Sequence, residues 1–332
     1  MALKILKSGI ADSVQDIGRF GFQHLGINPT GVSDIIAATM ANALVGNDSN
    51  AAILELHFPA STIYFTENTC IALSGADFGA SINGTAIPMN TPILVKKETI
   101  LKFEKKSDWG CRCYLSVRGG FDVPMWLKSR STNTNAKVGG YEGRNLKKED
   151  ELETAISHQQ SAVSSYSSFK ILPWHTATEN FYRNGDVIRV VKGNEFERLK
   201  SKFQEIIDRM PFLIGIQSNR MGYRLHSEAL KVNNTEQLLS TAVSCGTIQL
   251  LPNGQLIILM ADHQTTGGYP RLAHVIAADI PTLAQKNVQD KILFRFISMD
   301  EAEEIYLKQQ KYLEQMAIVC RAKWSIVNHQ PF

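Results

Sequence analysis

Polar side chains appear abruptly where an apolar run ends near residue 262. Residues 256–260 form an apolar run of strand length, and the sequence Asp262-His263-Gln264-Thr265-Thr266 follows almost directly. It supplies a carboxylate, an imidazole, an amide and two hydroxyls. Gly267 and Gly268 then allow a positive φ or a close approach of the backbone to a partner. Ordinary turns rarely carry so many hydrogen-bonding groups, so we expect a binding role here, with a tight β-turn as the alternative.

A second segment with the same character lies near the N-terminus, at residues 13–21. It places the amide of Gln15, the carboxylate of Asp16 and the guanidinium of Arg19 close to two glycines. One interpretation is a loop with an internal Asp16–Arg19 pair. The other is a substrate loop, because an arginine binds a carboxylate or phosphate through a fork of donors.

Two further segments combine cations with hydroxyl or glycine residues. In Ser129-Arg130-Ser131-Thr132, hydroxyl donors flank a cation, as they would in an anion site. In residues 217–225, Arg220 and Arg224 lie four apart around Gly222 and are spaced to straddle an anion. A solvated surface loop is the alternative for the second segment.

Composition excludes several classes of partner. The chain has 332 residues, a formal net charge of +3 and no run of five Lys or Arg residues, so nucleic acid and membrane surfaces are not expected partners. It has no signal-peptide h-region, and no apolar run approaches the ~20 residues of a membrane span. Five scattered cysteines argue against a disulfide framework, so we expect a cytoplasmic protein.

Cofactor motifs are also absent from the sequence. The histidines show no metal-ligand spacing, and we predict that the chain binds no metal. The pattern G-x-x-x-x-G-K-[ST] does not occur, so we do not expect this chain to hold ATP in a P-loop by itself.

The predicted elements are many short strands and a few helices. Strand-length apolar runs recur through residues 53–117 and again through 186–297, with hairpin signals at Asn83-Gly84 and Asn253-Gly254, which is typical of a barrel or sandwich. Helices are predicted at residues 34–45, 195–207 and about 280–285, capped by Ser33, Asn194 and Asp279. A charged helix is predicted from the Ser298/Glu301 capping box to about Met316. Six serines in residues 153–168 indicate a linker, and the length predicts two domains.

Taken together, these segments resemble a known family. The matches are the pattern Gln-Asp-x-Gly-Arg-x-Gly at residues 15–21 and the segments 41–47, 118–120, 129–132, 139–144, 217–225 and 262–271. The family comprises the C subunit of bacterial 5-oxoprolinase, the second subunit of allophanate hydrolase, the matching part of urea amidolyase and the antagonist of a sporulation-kinase inhibitor. Its members are often called biotin-dependent carboxyltransferases, and the resemblance covers about residues 8–297.

The resemblance implies a mainly β fold with two cyclophilin-like β-barrel units. The corresponding domain prediction is an N-terminal β-rich domain at 1–155, a linker at 156–170, a C-terminal cyclophilin-like barrel at 171–298, and a helix and tail at 299–332.

The activity implied is ATP-dependent opening of the lactam ring of 5-oxoproline to glutamate, in a complex with the A and B subunits of 5-oxoprolinase, of which the B subunit resembles the kinase inhibitor. We expect the chain alone to be inactive. In this interpretation Asp262 and Asp16 are the catalytic candidates, as a base or to orient a water. The candidates to hold the substrate are the cations Arg19, Arg130, Arg220 and Arg224, together with Gln15, Gln264, Thr265 and Thr266.

Two other functions remain open at this point. One is a carboxyltransferase-type subunit acting on urea or another small amide with biotin. Its biotin would come from a separate carrier, because no Met-Lys-Met acceptor occurs in this sequence. The other is a regulatory protein that binds and antagonises a kinase inhibitor, which would need no polar pocket.

Overall fold

The chain folds into two compact units that are not contiguous in sequence. The structure is a computed structural model that describes residues 3–155, 167–182, 185–233 and 238–329. Met1–Gly18, Asp34–Asn180 and Lys311–Phe332 form one unit, here called the sheet unit, and Arg19–Ser33 and Phe181–Gln310 form the other, the barrel unit. The predicted linker falls largely on residues 156–166, which lie outside the described ranges, so the predicted domain boundaries stay a prediction.

The sheet unit contains two six-stranded antiparallel sheets. The first has the order β11-β1-β4-β9-β6-β7: Glu151–Leu152, Leu3–Lys7, Thr62–Phe65, Thr99–Phe103, Ala80–Ile82 and Thr85–Ala86. The second has the order β12-β8-β5-β10-β3-β2: Phe169–Ile171, Ile93–Val95, Thr69–Gly75, Cys113–Val117, Ile53–Leu56 and Ser13–Gln15. Buried side chains of both sheets, such as Ile63 and Leu115, form one core. Two barrels were predicted, but the described strands of this unit lie in two open sheets, whose edge strands are β11 and β7 in the first and β12 and β2 in the second.

Helix α1 (Ile35–Leu44) packs on β5 and β10 of the second sheet. Asp34, not the predicted Ser33, caps it, because the Asp34 carboxylate accepts hydrogen bonds from the backbone of Ile36 and Ala37. Nine of its ten residues are buried. The reason is a separate apolar cluster in which Leu44 meets Trp324, whose indole donates to the Leu44 carbonyl at 2.8 Å.

The barrel unit is built on a closed seven-stranded barrel. Its order is β13-β20-β17-β18-β15-β14-β21: Val187–Lys192, Arg271–Val275, Thr247–Leu250, Leu256–Leu259, Gly222–His226, Phe212–Ile214 and Lys291–Phe296. All neighbours are antiparallel except β13 and β21, which pair in parallel and close the barrel. On β15 the side chains alternate, with Tyr223 and Leu225 buried in the core and Arg224 exposed. A two-stranded ribbon joins β16 (Thr241–Ala242) to β19 (Thr266–Gly267).

The predicted hairpin turns are confirmed, whereas the later helices differ in extent from the prediction. The Asn253-Gly254 turn joins β17 to β18. The helix predicted at 195–207 is a 3-10 turn (Phe196–Arg198) followed by α2 (Ser201–Ile206), because Leu199 and Lys200 are extended.

The last two helices are α3 (Ile280–Ala284), in the barrel unit, and α4 (Met299–His329), whose residues after Gln310 belong to the sheet unit. In α3 the carboxylate of the predicted cap Asp279 instead pairs with Arg189. The charged helix α4 runs past its predicted end near Met316. In the described parts of the chain, no helix is long and apolar enough to cross a membrane.

Candidate functional site

The barrel unit holds Asp262 in an ion pair with Arg220. The Arg220 guanidinium donates to both carboxylate oxygens, at 2.9 Å from Nε and 3.0 Å from Nη2. It also donates to the Ser33 hydroxyl at 2.9 Å and to the Gly31 carbonyl at 2.6 Å. The Asp262 side chain is 4% exposed and that of Arg220 17%. We call this group of contacts the clamp, because it ties the segment before α1 to the segment after β18.

Other contacts strengthen the same connection. The Asn28 amide donates to the Asp262 carbonyl at 2.9 Å, and the Asp262 N–H donates to the Arg220 carbonyl at 2.8 Å. Arg19, which is 1% exposed, donates from its guanidinium to the Thr30 hydroxyl, and its backbone N–H donates to the Pro29 carbonyl. The predicted residues Arg19, Arg220 and Asp262 therefore help to hold one folded loop to the barrel.

His263 follows Asp262 and is buried. Its Nδ1 lies 2.5 Å from the Gln264 carbonyl oxygen. Burial lowers the pKa of His263, and the hydrogen bond to Gln264 and the charge of Asp262 oppose that effect only in part. At neutral pH the ring is therefore uncharged, with Nδ1–H donating to the carbonyl.

In the sheet unit, Asp16 lies in a cradle of hydroxyls and backbone amides. Its carboxylate accepts from the hydroxyls of Ser129 at 2.7 Å and Ser131 at 2.5 Å, and from the backbone N–H groups of Arg130 at 2.5 Å and Gly18 at 2.8 Å. Asp16 is 3% exposed. The hydroxyls of the predicted anion segment thus bind a carboxylate of this chain.

Gln15 and Arg130 flank this cradle. Gln15 is buried at the end of β2 and donates to the Ser13 hydroxyl at 3.0 Å and to the Thr132 carbonyl at 3.3 Å. Its Oε1 is buried without a hydrogen-bond partner among the described residues. The half-buried Arg130 donates from Nε to the Val123 carbonyl at 3.2 Å.

The barrel unit also has a cavity of about 510 Å³ on the outer face of β15, β17 and β18, here called the outer pocket. Its polar lining consists of five carboxamides and one guanidinium: Gln217, Asn219, Gln249, Asn253, Gln264 and Arg224. The apolar side chains of Met221 and Ile257, and the ring of Tyr269 with its phenol hydroxyl, complete the wall. No carboxylate lines it, so the pocket offers hydrogen bonds and one positive charge.

The outer pocket brings together two of the predicted substrate residues, Arg224 and Gln264. Thr265 and Thr266 follow Gln264 in the sequence, and their backbone forms the ribbon. The Thr265 carbonyl accepts a hydrogen bond from the Val243 N–H, and Thr266 pairs with Ala242.

Sequence reasoning missed Gln249 and Tyr269 as pocket residues. Gln249 lies between Ile248 and Leu250 on β17, and its polar side chain at that position was the available signal.

In the described ranges, no three His, Cys, Asp or Glu side chains converge to hold a metal ion. The expectation that the chain binds no metal stays a prediction, which elemental analysis of the purified chain tests.

Comparison with known proteins supplies the context for these sites. The model of the carboxyltransferase domain, subdomain A and B, matches residues 25–296. The C subunit of the 5-oxoprolinase of Escherichia coli is 39% identical over 315 residues, which cover 95% of this chain and 97% of that protein. The corresponding C subunit of Haemophilus influenzae is 34% identical over 304 residues, covering 92% and 94%.

A solved structure shows the same fold. The crystal structure of the K. lactis urea amidolyase matches with a TM-score of 0.84 at 30% identity, covering 95% of this chain and 20% of that one. The resemblance seen in the motifs is confirmed: this chain belongs to the carboxyltransferase domain family, subdomain A and B, together with the C subunits of 5-oxoprolinase.

Proposed function

We propose that this chain is the C subunit of an ATP-dependent 5-oxoprolinase complex that hydrolyses 5-oxo-L-proline to L-glutamate. The observation that carries the proposal is the 39% identity to a 5-oxoprolinase C subunit over 95% of this chain and 97% of that protein. The urea amidolyase matches at a lower identity of 30%, and this chain covers 20% of its length.

Opening the lactam requires water to add at the ring carbonyl carbon, the C–N bond to break and the amine to take a proton. A lactam resists water because its nitrogen lone pair is delocalised into the carbonyl. ATP, when bound to the complex, supplies activation of the carbonyl oxygen. The part left to this chain is to bind the substrate, orient it and stabilise developing charge with positioned donors.

The contacts divide the predicted site residues into two kinds. Asp16, Asp262 and Arg220 already hold partners of this chain, which supports positioning roles for them. Arg224 and Gln264 line a cavity, which supports direct contact with the substrate. Catalysis by Asp262 or Asp16 stays a prediction, as does substrate binding by Gln15, Arg19, Arg130, Thr265 and Thr266.

The partners in this proposal are the A and B subunits of 5-oxoprolinase, and the compartment is the cytoplasm. The relatives are named as C subunits, which supports a complex, and the five cysteines are free thiols. The sequence contains no phosphate-binding loop of the G-x-x-x-x-G-K-[ST] kind. We therefore assign ATP binding to the complex and no step on ATP to residues of this chain.

The test is to mix the purified chain with the A and B subunits, ATP and 5-oxo-L-proline and to measure glutamate directly. We expect glutamate only when all three subunits and ATP are present. Glutamate formed by this chain alone, or by the A and B subunits without it, would refute the proposed role.

A second candidate is a carboxyltransferase subunit acting on urea or another small amide with a biotin carrier. The TM-score of 0.84 to the urea amidolyase favours it. Urea-dependent ATP consumption with a biotinylated carrier, without glutamate from 5-oxoproline, would select it.

A tight complex with the B subunit that turns over no amide would select the regulatory role of antagonising a kinase inhibitor.

A further inference from the structure

The outer pocket is built on three adjacent strands whose outward side chains form one row. Arg224 of β15 is opposite Ile257 of β18, and Ile257 is opposite Gln249 of β17. Residues opposite each other in an antiparallel pair lie about 5 Å apart on the same face. The guanidinium of Arg224 and the amide of Gln249 therefore rise from the same rigid surface, with an apolar side chain between them.

Gln249 is a buried amide that the fold does not satisfy. The residue is 0% exposed, and its Nε2 has no hydrogen-bond partner among the described residues. Its Oε1 accepts only a long bond of 3.4 Å from Gln264. A buried donor without a partner is destabilising, and a ligand that accepts its hydrogen bond removes that penalty.

The backbone above Gln249 is shaped to leave room for this amide. A Cβ built on Gly267 of the ribbon would lie 2.6 Å from Gln249 Nε2. Any side chain at position 267 would therefore displace the amide. Gly267 belongs to the segment that sequence reasoning marked for a close approach of the backbone, and the structure shows what it approaches.

Arg224 differs from three other arginines of the barrel unit. Arg189, Arg220 and Arg271 are each paired with a carboxylate, of Asp279, Asp262 and Glu195, at 2.5 to 2.9 Å. Arg224 is exposed, and no ion pair of its guanidinium occurs among the described residues. With no carboxylate in the lining, its charge is available to a ligand anion.

We propose that the outer pocket binds a small molecule in which a carboxylate adjoins a secondary amide, with Arg224 on the carboxylate and Gln249 and Gln264 on the amide. 5-Oxoproline has both groups on one five-membered ring, and naming it as the ligand rests on the proposed function. The two glutamine side chains complement an amide, because each carboxamide both donates and accepts. The apolar strip at Ile257 faces the ring carbons.

The test is calorimetric titration of the full chain with three probes. We expect 5-oxo-L-proline to bind at least tenfold more tightly than 2-pyrrolidinone, which lacks the carboxylate, and than L-glutamate, which lacks the lactam. Equal affinity for 5-oxoproline and 2-pyrrolidinone, or no binding of 5-oxoproline, would overturn the proposal.

Two variants with a matched control locate the ligand. Arg224→Met should weaken 5-oxoproline binding at least tenfold, whereas Arg295→Met, which changes an exposed arginine of strand β21, should not. Gln249→Met should weaken binding to a similar degree without lowering the urea midpoint, because it removes a buried donor that has no partner among the described residues. Unchanged binding in both pocket variants would place the ligand elsewhere and overturn the proposal.

The same experiments separate this inference from the proposed function. If the reconstituted complex forms glutamate and Arg224→Met leaves the KM for 5-oxoproline unchanged, the pocket assignment fails while the proposed function stands. If the chain binds 5-oxoproline through Arg224 but the complex forms no glutamate, the proposed function fails and the pocket assignment stands.

Discussion

Removing the charge of Asp262 tests whether the clamp stabilises the barrel unit. Asp262→Asn keeps the shape of the side chain but leaves the Arg220 guanidinium, 17% exposed, without its counter-charge. Two charges about 4 Å apart interact by about 4 kcal/mol at an effective dielectric constant of 20. Breaking a buried pair from one side costs about 3–5 kcal/mol. Because Arg220 keeps its bonds to Ser33 and Gly31, we expect the lower end, about 3 kcal/mol.

The assay must report on the barrel unit itself. All four tryptophans (Trp109, Trp126, Trp174 and Trp324) belong to the sheet unit, so tryptophan fluorescence follows that unit. Hydrogen exchange of peptides from β15 and β18, measured by mass spectrometry, follows the barrel. A loss of about 3 kcal/mol corresponds to a rise of roughly 150-fold in the exchange rate of amides that exchange through global opening.

A matched control variant, Asp279→Asn, separates an effect on the stability of the barrel unit from an effect on activity. Asp279 pairs with Arg189 in the same unit, with side-chain exposures of 2% and 19%, and lies away from the motif segments. Asp279→Asn should destabilise the barrel by a similar amount but leave a reconstituted complex active under conditions where the variant is folded. A cost below about 1 kcal/mol for Asp262→Asn would refute the reasoning, because the clamp would then be no stronger than a surface pair.

Three further predictions concern the sheet unit, and urea unfolding followed by tryptophan fluorescence measures each. We expect Ser131→Ala to lower the free energy of unfolding by about 1–2 kcal/mol, because it removes one of the donors to the buried Asp16 carboxylate. An unchanged free energy of unfolding would contradict a stabilising role for this hydrogen bond. We expect Tyr114→Phe to lower the free energy of unfolding by about 2 kcal/mol, because the phenol donates to the buried Glu55 at 2.7 Å. A variant as stable as the wild type would contradict this prediction. Burial raises the pKa of Asp12 to about 6 from 3.8, so the folded state binds this proton more tightly than the unfolded state does. That stabilisation is present below about pH 4 and is lost as the pH rises through about 6. The free energy of unfolding of the wild type, relative to Asp12→Asn, should therefore fall by up to about 3 kcal/mol from pH 4 to pH 7, and a difference that does not depend on pH would contradict the assignment.

Local patterns in the sequence predicted most of the elements but not their extents. Asn253-Gly254 was recognised because its turn chemistry is complete within two residues. The end of α4 was misplaced because nothing in residues 317–329 shows that Trp324 packs on a helix near residue 44. The strand pattern of the first half left a barrel and a sandwich open, because strand periodicity does not tell whether edge strands meet. The barrel that the family resemblance implied for this half is not present among its described strands, which form two open sheets.

The same limit applies to the site residues. The motif at 129–132 was predicted as an anion site for a substrate, whereas in the structure its hydroxyls bind the carboxylate of Asp16, which lies 113 residues from Ser129. Apart from its polarity, nothing in the sequence around Gln249 predicted a pocket residue. Its amide lies close to Gly267 of the ribbon, and this contact is visible only in the structure. Arg220 and Asp262 each stood out by residue type, whereas their mutual pairing across 42 residues followed only from the structure.

The packing of Trp324 on α1 has a consequence for how the protein is made. The surface of α1 that receives this indole is synthesised 280 residues before the indole itself. At 5–20 residues per second, the ribosome needs about 14–56 s to cover that interval. Throughout it, the apolar surface at Leu44 lacks the indole that covers it. The nascent sheet unit therefore exposes apolar surface until Trp324 emerges, and nascent chains that stop short of Trp324 keep that surface exposed.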